Sequence, residues 1–216
     1  RLPAARRFVR EAKLNEVFDG PLSSIGLIVQ GGLYNNLLRA LEVHGLTDAE
    51  GRSRIPVLAL NVVYPLVPEE LSAFCEGKDA VLVLEEGSPE YIELEIATNL
   101  RRQGIVTALH GKDMLPAGGE YTAEVISRGL LQFLERHRPQ AIDASVRGWL
   151  DGVAARRQQT QAMLEQPLPA LLDQFSVAAI TLTGAGDLTI NRPSSDLTLE
   201  GAVTKDGSVY VTAQKL

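Results

Sequence analysis

Two adjacent glycines stand between an apolar run and a helix-forming segment near the start of the chain. Gly31 and Gly32 follow Ile25–Val29 and precede a segment that begins near Tyr34. The backbone N–H groups at a helix N-terminus attract anions, so a turn of this kind can bind a phosphate. The spacing Gly-x-Gly-x-x-Gly is missing, however, and the sequence contains no Walker motif. We therefore favour a structural interpretation, in which the glycines let the turn close tightly, over a nucleotide site.

Two neighbouring carboxylates, Glu85 and Glu86, come directly after another apolar run, Ala80–Leu84. In open α/β sheets the carboxyl ends of the strands line the ligand crevice. Adjacent carboxylates there could hold one raised pKa for acid–base chemistry. Successive strand residues point to opposite faces of a sheet, so the two side chains cannot easily act on one substrate. We expect a structural role for both, at a helix N-terminus or against a neighbouring subunit.

Three other side chains could do chemistry, and we expect simpler roles for two of them. His110 and Lys112 follow a fourth apolar run, where they could meet an anion. A lone histidine in a loop is more often solvated, and we expect this for His110. Cys75 lies beside Phe74 on a helical segment without a nearby base to lower the thiol pKa. We expect Cys75 to pack as a small apolar residue.

Composition and charge exclude several classes of protein. The 216 residues are 45% apolar and 22% charged, which is typical of a globular chain. A net charge of −6 disfavours nucleic-acid binding, and no apolar run approaches the roughly 20 residues that span a membrane. One cysteine and three scattered histidines exclude a disulfide, and also a zinc site or iron–sulfur cluster held by this chain alone. We expect a cytoplasmic protein and, since the chain does not begin with Met, a piece of a longer one.

The elements that must position these residues alternate between apolar strands and amphipathic helices. Near-continuous apolar runs are typical of strands buried on both faces, so the alternation predicts an α/β fold with a doubly wound, mostly parallel sheet. We also predict a helix over residues 3–18, before the Asp19-Gly-Pro break. The predicted strands are 25–29, 56–60, 80–84 and 105–109, and the predicted helices are 33–44, 68–75, 91–102 and 122–136.

The pattern changes after Pro139. The pattern of residues 141–165 predicts one long helix. From Ser176 onward the chain is rich in Thr, Val and Gly. Asp206-Gly207 is a strong signal for a two-residue hairpin, so we predict an antiparallel β element. The chain thus divides into an α/β domain at 1–139, a helical linker at 140–170 and a β-rich tail at 171–216. The predicted tail strands are 177–183, 188–190, 196–203 and 208–214, with a turn at 184–187.

Several segments together resemble a known family. The residues that carry the resemblance are Ser24–Tyr34, Ile55–Leu71, Ala80–Glu86, Gly111–Pro116 and Gly119–Ile126. In this order and spacing they resemble the second domain of indolepyruvate ferredoxin oxidoreductase, a 2-oxoacid:acceptor oxidoreductase. The Tyr-Pro-Leu step, the Glu-Glu strand end and the Gly-Glu-Tyr-Thr helix entry carry most of it. The resemblance implies a fold like the C-terminal domain of transketolase.

The resemblance also implies a function for the complete enzyme. Such enzymes decarboxylate an arylpyruvate on thiamine diphosphate with Mg, pass electrons through iron–sulfur clusters to ferredoxin and form an aryl-acetyl-CoA. In this family the second domain does not carry the reaction, because flanking domains hold thiamine diphosphate. The resemblance therefore implies a non-catalytic structural and docking domain without a cofactor, partnered by other domains or subunits in an oligomer. Residues 140–216 depart from the family, since no Cys-x-x-Cys-Pro segment follows Pro167–Pro169.

Two alternatives stay open at this stage. One is a CoA- or nucleotide-binding α/β module, and the candidate crevice residues are Gly31, Gly32, Tyr34, Glu85 and Glu86. The other is an assembly element without a ligand, in which the β-rich tail pairs its exposed edge with another chain.

Overall fold

The computed structural model describes residues 1–165 and, further along the chain, the backbone of two strands at 188–192 and 209–213. The chain divides into two units, Arg1–Val153 and Ala154–Leu216. The helices of the described residues include none that is long and apolar enough to cross a membrane.

The first unit is built on one five-stranded sheet with the order β1-β3-β2-β4-β5. β2 to β5 run parallel, and β1 pairs antiparallel with β3 at one edge. The predicted α/β fold with a mostly parallel sheet is confirmed. The strands are β1 (Glu16–Phe18), β2 (Ile25–Gln30), β3 (Val57–Leu60), β4 (Ala80–Leu84) and β5 (Ala108–His110). The helices of residues 1–165 are α1 (Leu2–Glu11), α2 (Tyr34–Val43), α3 (Pro68–Cys75), α4 (Tyr91–Gln103), α5 (Ala123–His137) and α6 (Ser145–Leu164), which begins in the first unit and ends in the second.

The central strands are buried on both faces, which explains their unbroken apolar sequence. In β2, Leu27 and Val29 belong to the core on the side of α2 and α5, whereas Ile28 belongs to the core with α3 and α4. In β4, Leu82 and Val83 divide in the same way. Because side chains alternate along a strand, each strand contributes to two helix–sheet layers.

The helix predicted over residues 3–18 was wrong beyond Glu11. The chain turns at Lys13, whose φ of 50° is left-handed, and residues 16–18 then pair with β3 as β1. Asn15 fixes this turn, because its side-chain oxygen accepts from the Val62 N–H at 3.0 Å and its amide donates to Glu70 at 2.8 Å. Tertiary hydrogen bonding thus overrides the helical spacing of the apolar residues.

The fourth predicted strand is shifted along the chain. The strand begins at Ala108 rather than Ile105, and Val106 is 98% exposed. The reason is that β5 pairs with only Ala80–Leu82 of its neighbour, so the residues before Ala108 lie outside the ladder.

The strands of the second unit correct another prediction. β6 (Leu188–Arg192) pairs parallel with β7 (Val209–Ala213), whereas the sequence predicted an antiparallel element. Parallel strands need a connection of about a dozen residues or more, and the two strands are separated by more than that in the sequence. The predicted strands 177–183 and 196–203 and the turns 184–187 and 206–207 lie outside the described residues. The domain boundaries at 139 and 170 stay predictions.

A buried histidine joins two helices on one side of the sheet. His44 follows α2, and its Nε2–H donates to the carbonyl of Ser127 on α5 at 3.1 Å. Its Nδ1 has no hydrogen-bond partner among residues 1–165. Burial lowers the pKa of His44, and the hydrogen bond to Ser127 only partly opposes this effect. A proton on Nδ1 would therefore be a buried charge without a partner.

We predict that His44 makes the fold sensitive to acid. As pH falls below the ordinary histidine pKa of about 6.5, the unfolded chain binds a proton more readily than the folded chain, so the free energy of unfolding decreases. A His44→Gln variant keeps an N–H donor for Ser127 but cannot be protonated, so we expect a shallower loss. Urea denaturation from about pH 7.5 to about pH 5 measures both chains, and identical slopes would contradict the prediction.

Candidate functional site

The carboxyl ends of the four parallel strands meet at one edge of the sheet, where α/β proteins bind ligands. Gln30 ends β2, Asn61 follows β3, Glu85 follows β4, and Lys112 lies in the loop after β5. The hydrogen bonds among these strand ends decide what the edge can bind.

Glu85 binds the start of α4. The residue is 5% exposed, and its carboxylate accepts from the N–H groups of Ile92 and Glu93 at 3.0–3.1 Å. These amides are the first donors of the helix, which have no partner within the helix itself. A carboxylate of the same chain therefore fills the position that a bound anion would take. The structural role expected for Glu85 at a helix N-terminus is confirmed.

Glu86 ties the strand end to the segment before α5. Its exposed carboxylate accepts from the Tyr121 N–H at 2.7 Å, and its own N–H donates to Oε1 of Gln30 at 2.8 Å. The Asn36 side chain donates to the carbonyl of Tyr121 at 3.1 Å. Glu86 thus connects β2, β4 and the entry to α5, so it too has a structural role.

Lys112 lies at the centre of this network. Its Nζ donates to the hydroxyl of Tyr121 at 2.7 Å, to the carbonyl of Glu85 at 2.5 Å and, more weakly, to that of Pro116 at 3.4 Å. The Tyr121 hydroxyl in turn donates to the Pro116 carbonyl at 2.6 Å. An ammonium group has three N–H donors, and all three have acceptors here. Lys112 is therefore saturated without any ligand.

The carboxylates around Lys112 stabilise its ammonium form and disfavour the binding of a further anion. Burial lowers the pKa of Lys112, but Glu85, Glu93, Glu90 and Glu86 oppose this and stabilise the ammonium form. Burial, with the same carboxylates except Glu90, raises the pKa of Tyr121 to about 12. The Tyr121 hydroxyl therefore stays protonated at neutral pH and acts as a hydrogen-bond bridge.

The Gly31-Gly32 turn follows β2 and lies beside Asn61, which follows β3. A Cβ at Gly31 would overlap the side-chain oxygen of Asn61, whereas a Cβ at Gly32 would meet nothing within 4 Å. Tyr34 begins α2, and its ring stacks on Phe18 of β1 with centroids 5.0 Å apart. Burial and, to a lesser extent, the charge of Glu16 raise the pKa of Tyr34.

The five predicted crevice residues therefore belong to two groups. Glu85 and Glu86 join the network of Lys112, whereas Gly31 and Tyr34 contact Asn61 and Phe18 near the antiparallel edge. A Cβ added at Gly32 would meet no atom of either group within 4 Å. A ligand-binding role for the five stays a prediction.

Sequence reasoning missed Gln30 and Tyr121 and did not find the role of Lys112. The available signals were the position of Lys112 just after an apolar run and that of Tyr121 just before a helix. Neither position predicts which residue is the partner, because the contacts join residues from different parts of the chain.

His110 and Cys75 are both buried in the first unit. His110 was expected to be solvated, and this was wrong: the residue is 6% exposed, and its side chain bonds to Asp113 and His137. The end of α5 covers it, which the local sequence does not reveal. Cys75 is buried as expected, and burial raises its thiol pKa to about 11.

A shallow groove of about 360 Å³ lies at the opposite, amino end of the sheet, between the end of α4 and the start of β5. None of the predicted crevice residues lines it. Among the described residues, no three His, Cys, Asp or Glu side chains are grouped so that they could hold a metal ion.

Fold and edge together define a class: an α/β domain whose strand ends are bound to one another by its own side chains. Residues 14–121, half of the chain, match the family model described as "Indolepyruvate ferredoxin oxidoreductase middle domain". The chain belongs to this family.

Curated relatives agree with the family match. "Indolepyruvate oxidoreductase subunit IorA" of Methanothermobacter marburgensis is 30% identical over 128 residues, covering 58% of this chain and 19% of that protein. The subunit of the same name from Methanothermobacter thermautotrophicus is 32% identical over 123 residues, covering 56% and 19%. That of Thermococcus kodakarensis is 27% identical over 117 residues, covering 54% and 17%. The matched part of this chain thus spans about a fifth of these relatives' length.

The two adjacent glycines provide a matched test of the edge packing. Gly31→Ala must displace Asn61, whose amide donates to the Leu14 carbonyl at 2.9 Å and to Glu16 at 3.0 Å. We expect the free energy of unfolding to fall by about 1–3 kcal/mol. Gly32→Ala should change it by less than about 0.5 kcal/mol, because its Cβ enters open space. Denaturant titration compares the two, and equal effects would contradict this account of the turn.

Proposed function

We propose that the chain is a non-catalytic structural and docking domain of an enzyme that oxidises indolepyruvate with ferredoxin as acceptor. The observation that carries this proposal is the closed network of Lys112 and Tyr121 at the strand ends. The edge where this fold class binds ligands is occupied by the domain's own hydrogen bonds. Membership in the middle-domain family supports the assignment to this enzyme.

The described residues do not fit the cofactors that such an enzyme needs. Thiamine diphosphate carries a pyrophosphate, but the N–H groups at the start of α4 already bind the carboxylate of Glu85. Glu86 and Glu93 add further negative charge beside it. Iron–sulfur clusters require several thiolates, and the chain has a single cysteine, Cys75, which is buried. We therefore assign thiamine diphosphate, Mg and the clusters to other parts of the complete enzyme, and we derive no reaction step through them here.

Exposed apolar side chains beside the network support the docking role. Tyr91 is 71% exposed and Leu94 is 54% exposed on the first turns of α4. Arg6 donates to the carbonyl of Leu66 at 2.8 Å and pairs with Glu95, which ties the loop carrying the exposed Tyr64 to α4. Tyrosine is enriched where protein surfaces meet. These residues are suited to contact other domains or subunits of the enzyme.

We predict that the isolated chain has no oxidoreductase activity and binds none of the expected cofactors. Turnover is assayed with indolepyruvate, CoA and ferredoxin, and thermal unfolding is followed with thiamine diphosphate plus Mg²⁺, with CoA, with NAD and with flavin. A ligand that binds only the folded state raises the midpoint by mass action, so we expect shifts below about 1 °C.

The outcomes of this panel distinguish the alternatives. A saturable shift with CoA or NAD that Gly32→Glu removes would replace the docking proposal by a ligand-binding module. A shift with thiamine diphosphate, or turnover by this chain alone, would contradict the non-catalytic role.

We also predict that the exposed residues of α4 matter in the complete enzyme. Replacing Tyr91 and Leu94 by Ala should weaken association of this domain with its partners about tenfold or more, because exposed aromatic anchors dominate interface energies. Co-purification and analytical ultracentrifugation of the complete enzyme measure this. Val106→Ala is the matched control, since Val106 is 98% exposed at the other end of the sheet. Equal association of both variants would contradict the assignment, provided that both unfold like the wild type.

A further inference from the structure

Three titratable side chains form a hydrogen-bonded chain at the outer edge of the sheet, beside the loop that carries Lys112 but without a side-chain hydrogen bond to that lysine. Nδ1 of His110 lies 2.6 Å from Oδ2 of Asp113, and Nε2 of His110 lies 2.8 Å from Nε2 of His137. His110 is the last residue of β5, and His137 is the last residue of α5. The ring of Phe133 packs against both imidazoles, with centroids 6.0 Å from His110 and 5.2 Å from His137.

The geometry fixes where the hydrogens lie. A carboxylate only accepts, so Nδ1 of His110 carries the hydrogen that it donates to Asp113. In the neutral ring Nε2 of His110 is then the acceptor, and Nε2 of His137 must be the donor. The contact between the two Nε2 atoms thus contains one hydrogen.

The pair can take up one proton without breaking this contact, but not two. The first proton binds Nδ1 of His137, which leaves the Nε2–H of His137 donating as before. The second would have to bind Nε2 of His110, and two N–H groups would then face each other across 2.8 Å. Two positively charged rings would also repel each other. The two protons therefore bind in separate steps, and neither step can be assigned to one histidine alone.

The surroundings of His137 disfavour its protonated form. Burial lowers the pKa of His137, His110 and Arg136 lower it further, and Asp79 and Asp113 oppose this. Although burial opposes it, hydrogen bonds from the Gly111 N–H and His110 keep the pKa of Asp113 below its usual value. Asp113 therefore remains an acceptor throughout the range in which histidines titrate.

We propose that Asp113, His110 and His137 form a pH-sensitive clamp, which holds the end of α5 against β5 until the two histidines bind a second proton. β5 is a three-residue edge strand paired only with Ala80–Leu82, so few backbone hydrogen bonds would hold it in place once the clamp opens. Opening frees the end of α5 and the outer strand together. The clamp does not depend on the proposed docking function, because it acts between two elements of this domain.

Hydrogen–deuterium exchange of the whole chain tests the clamp. We compare about pH 7.5 with about pH 5, after correction for intrinsic exchange, in peptides that cover residues 105–115 and 130–140. The wild type should exchange about tenfold faster at the lower pH in both segments. His137→Gln should show no such acceleration, because its amide donates to neutral His110 and, once rotated, accepts from protonated His110. An equal acid response in the two proteins would overturn the proposal, as would none in the wild type.

A second variant and a direct titration keep the test decisive. His44→Gln removes a buried histidine elsewhere, so these two segments should keep their acid response; loss of that response would assign it to His44 and reject the clamp. NMR titration of the wild type follows the imidazoles themselves and decides the matter if His137→Gln does not fold. His110 and His137 should titrate in two separated steps, and two independent titrations near pKa 6.5 would reject the clamp.

Discussion

The hydrogen bonds of the Lys112 ammonium group hold together the edge of the sheet where the parallel strands end. Parallel strands buried on both faces leave their polar ends together at one edge, and each group there needs a partner. Lys112 satisfies the carbonyl of Glu85 and the hydroxyl of Tyr121, which in turn donates to Pro116. The loops after β4 and β5 are thus fixed by one side chain, and the starts of α4 and α5 take their positions from those loops.

The middle-domain family match coincides with this arrangement. It begins at residue 14, beside the turn that leads into β1, and ends at Tyr121. The five strands of the first unit's sheet and the whole Lys112 network lie inside the matched range, whereas His137 lies outside it. The physical core of the family in this chain is therefore the sheet together with its bonded edge.

Much of the fold follows from the sequence, because the four apolar runs are long enough to identify buried strands. The α/β class and the helices α2 to α5 need no further information. β1 could not be predicted, since its three residues become a strand only by pairing with β3 and through the contacts of Asn15. The site shows the same limit. A role for Glu85 at a helix N-terminus is foreseeable from its position, but the bond between Lys112 and Tyr121 depends on how two loops approach each other.

The carboxylate of Glu85 at the start of α4 has a consequence for the order of assembly. In many α/β proteins a phosphate satisfies the free N–H groups of such a helix, so the local structure is completed only when the ligand binds. Here donor and acceptor belong to the same chain and lie only a few residues apart. The start of α4 can therefore form completely before any ligand binds, because its free N–H groups are already satisfied by Glu85.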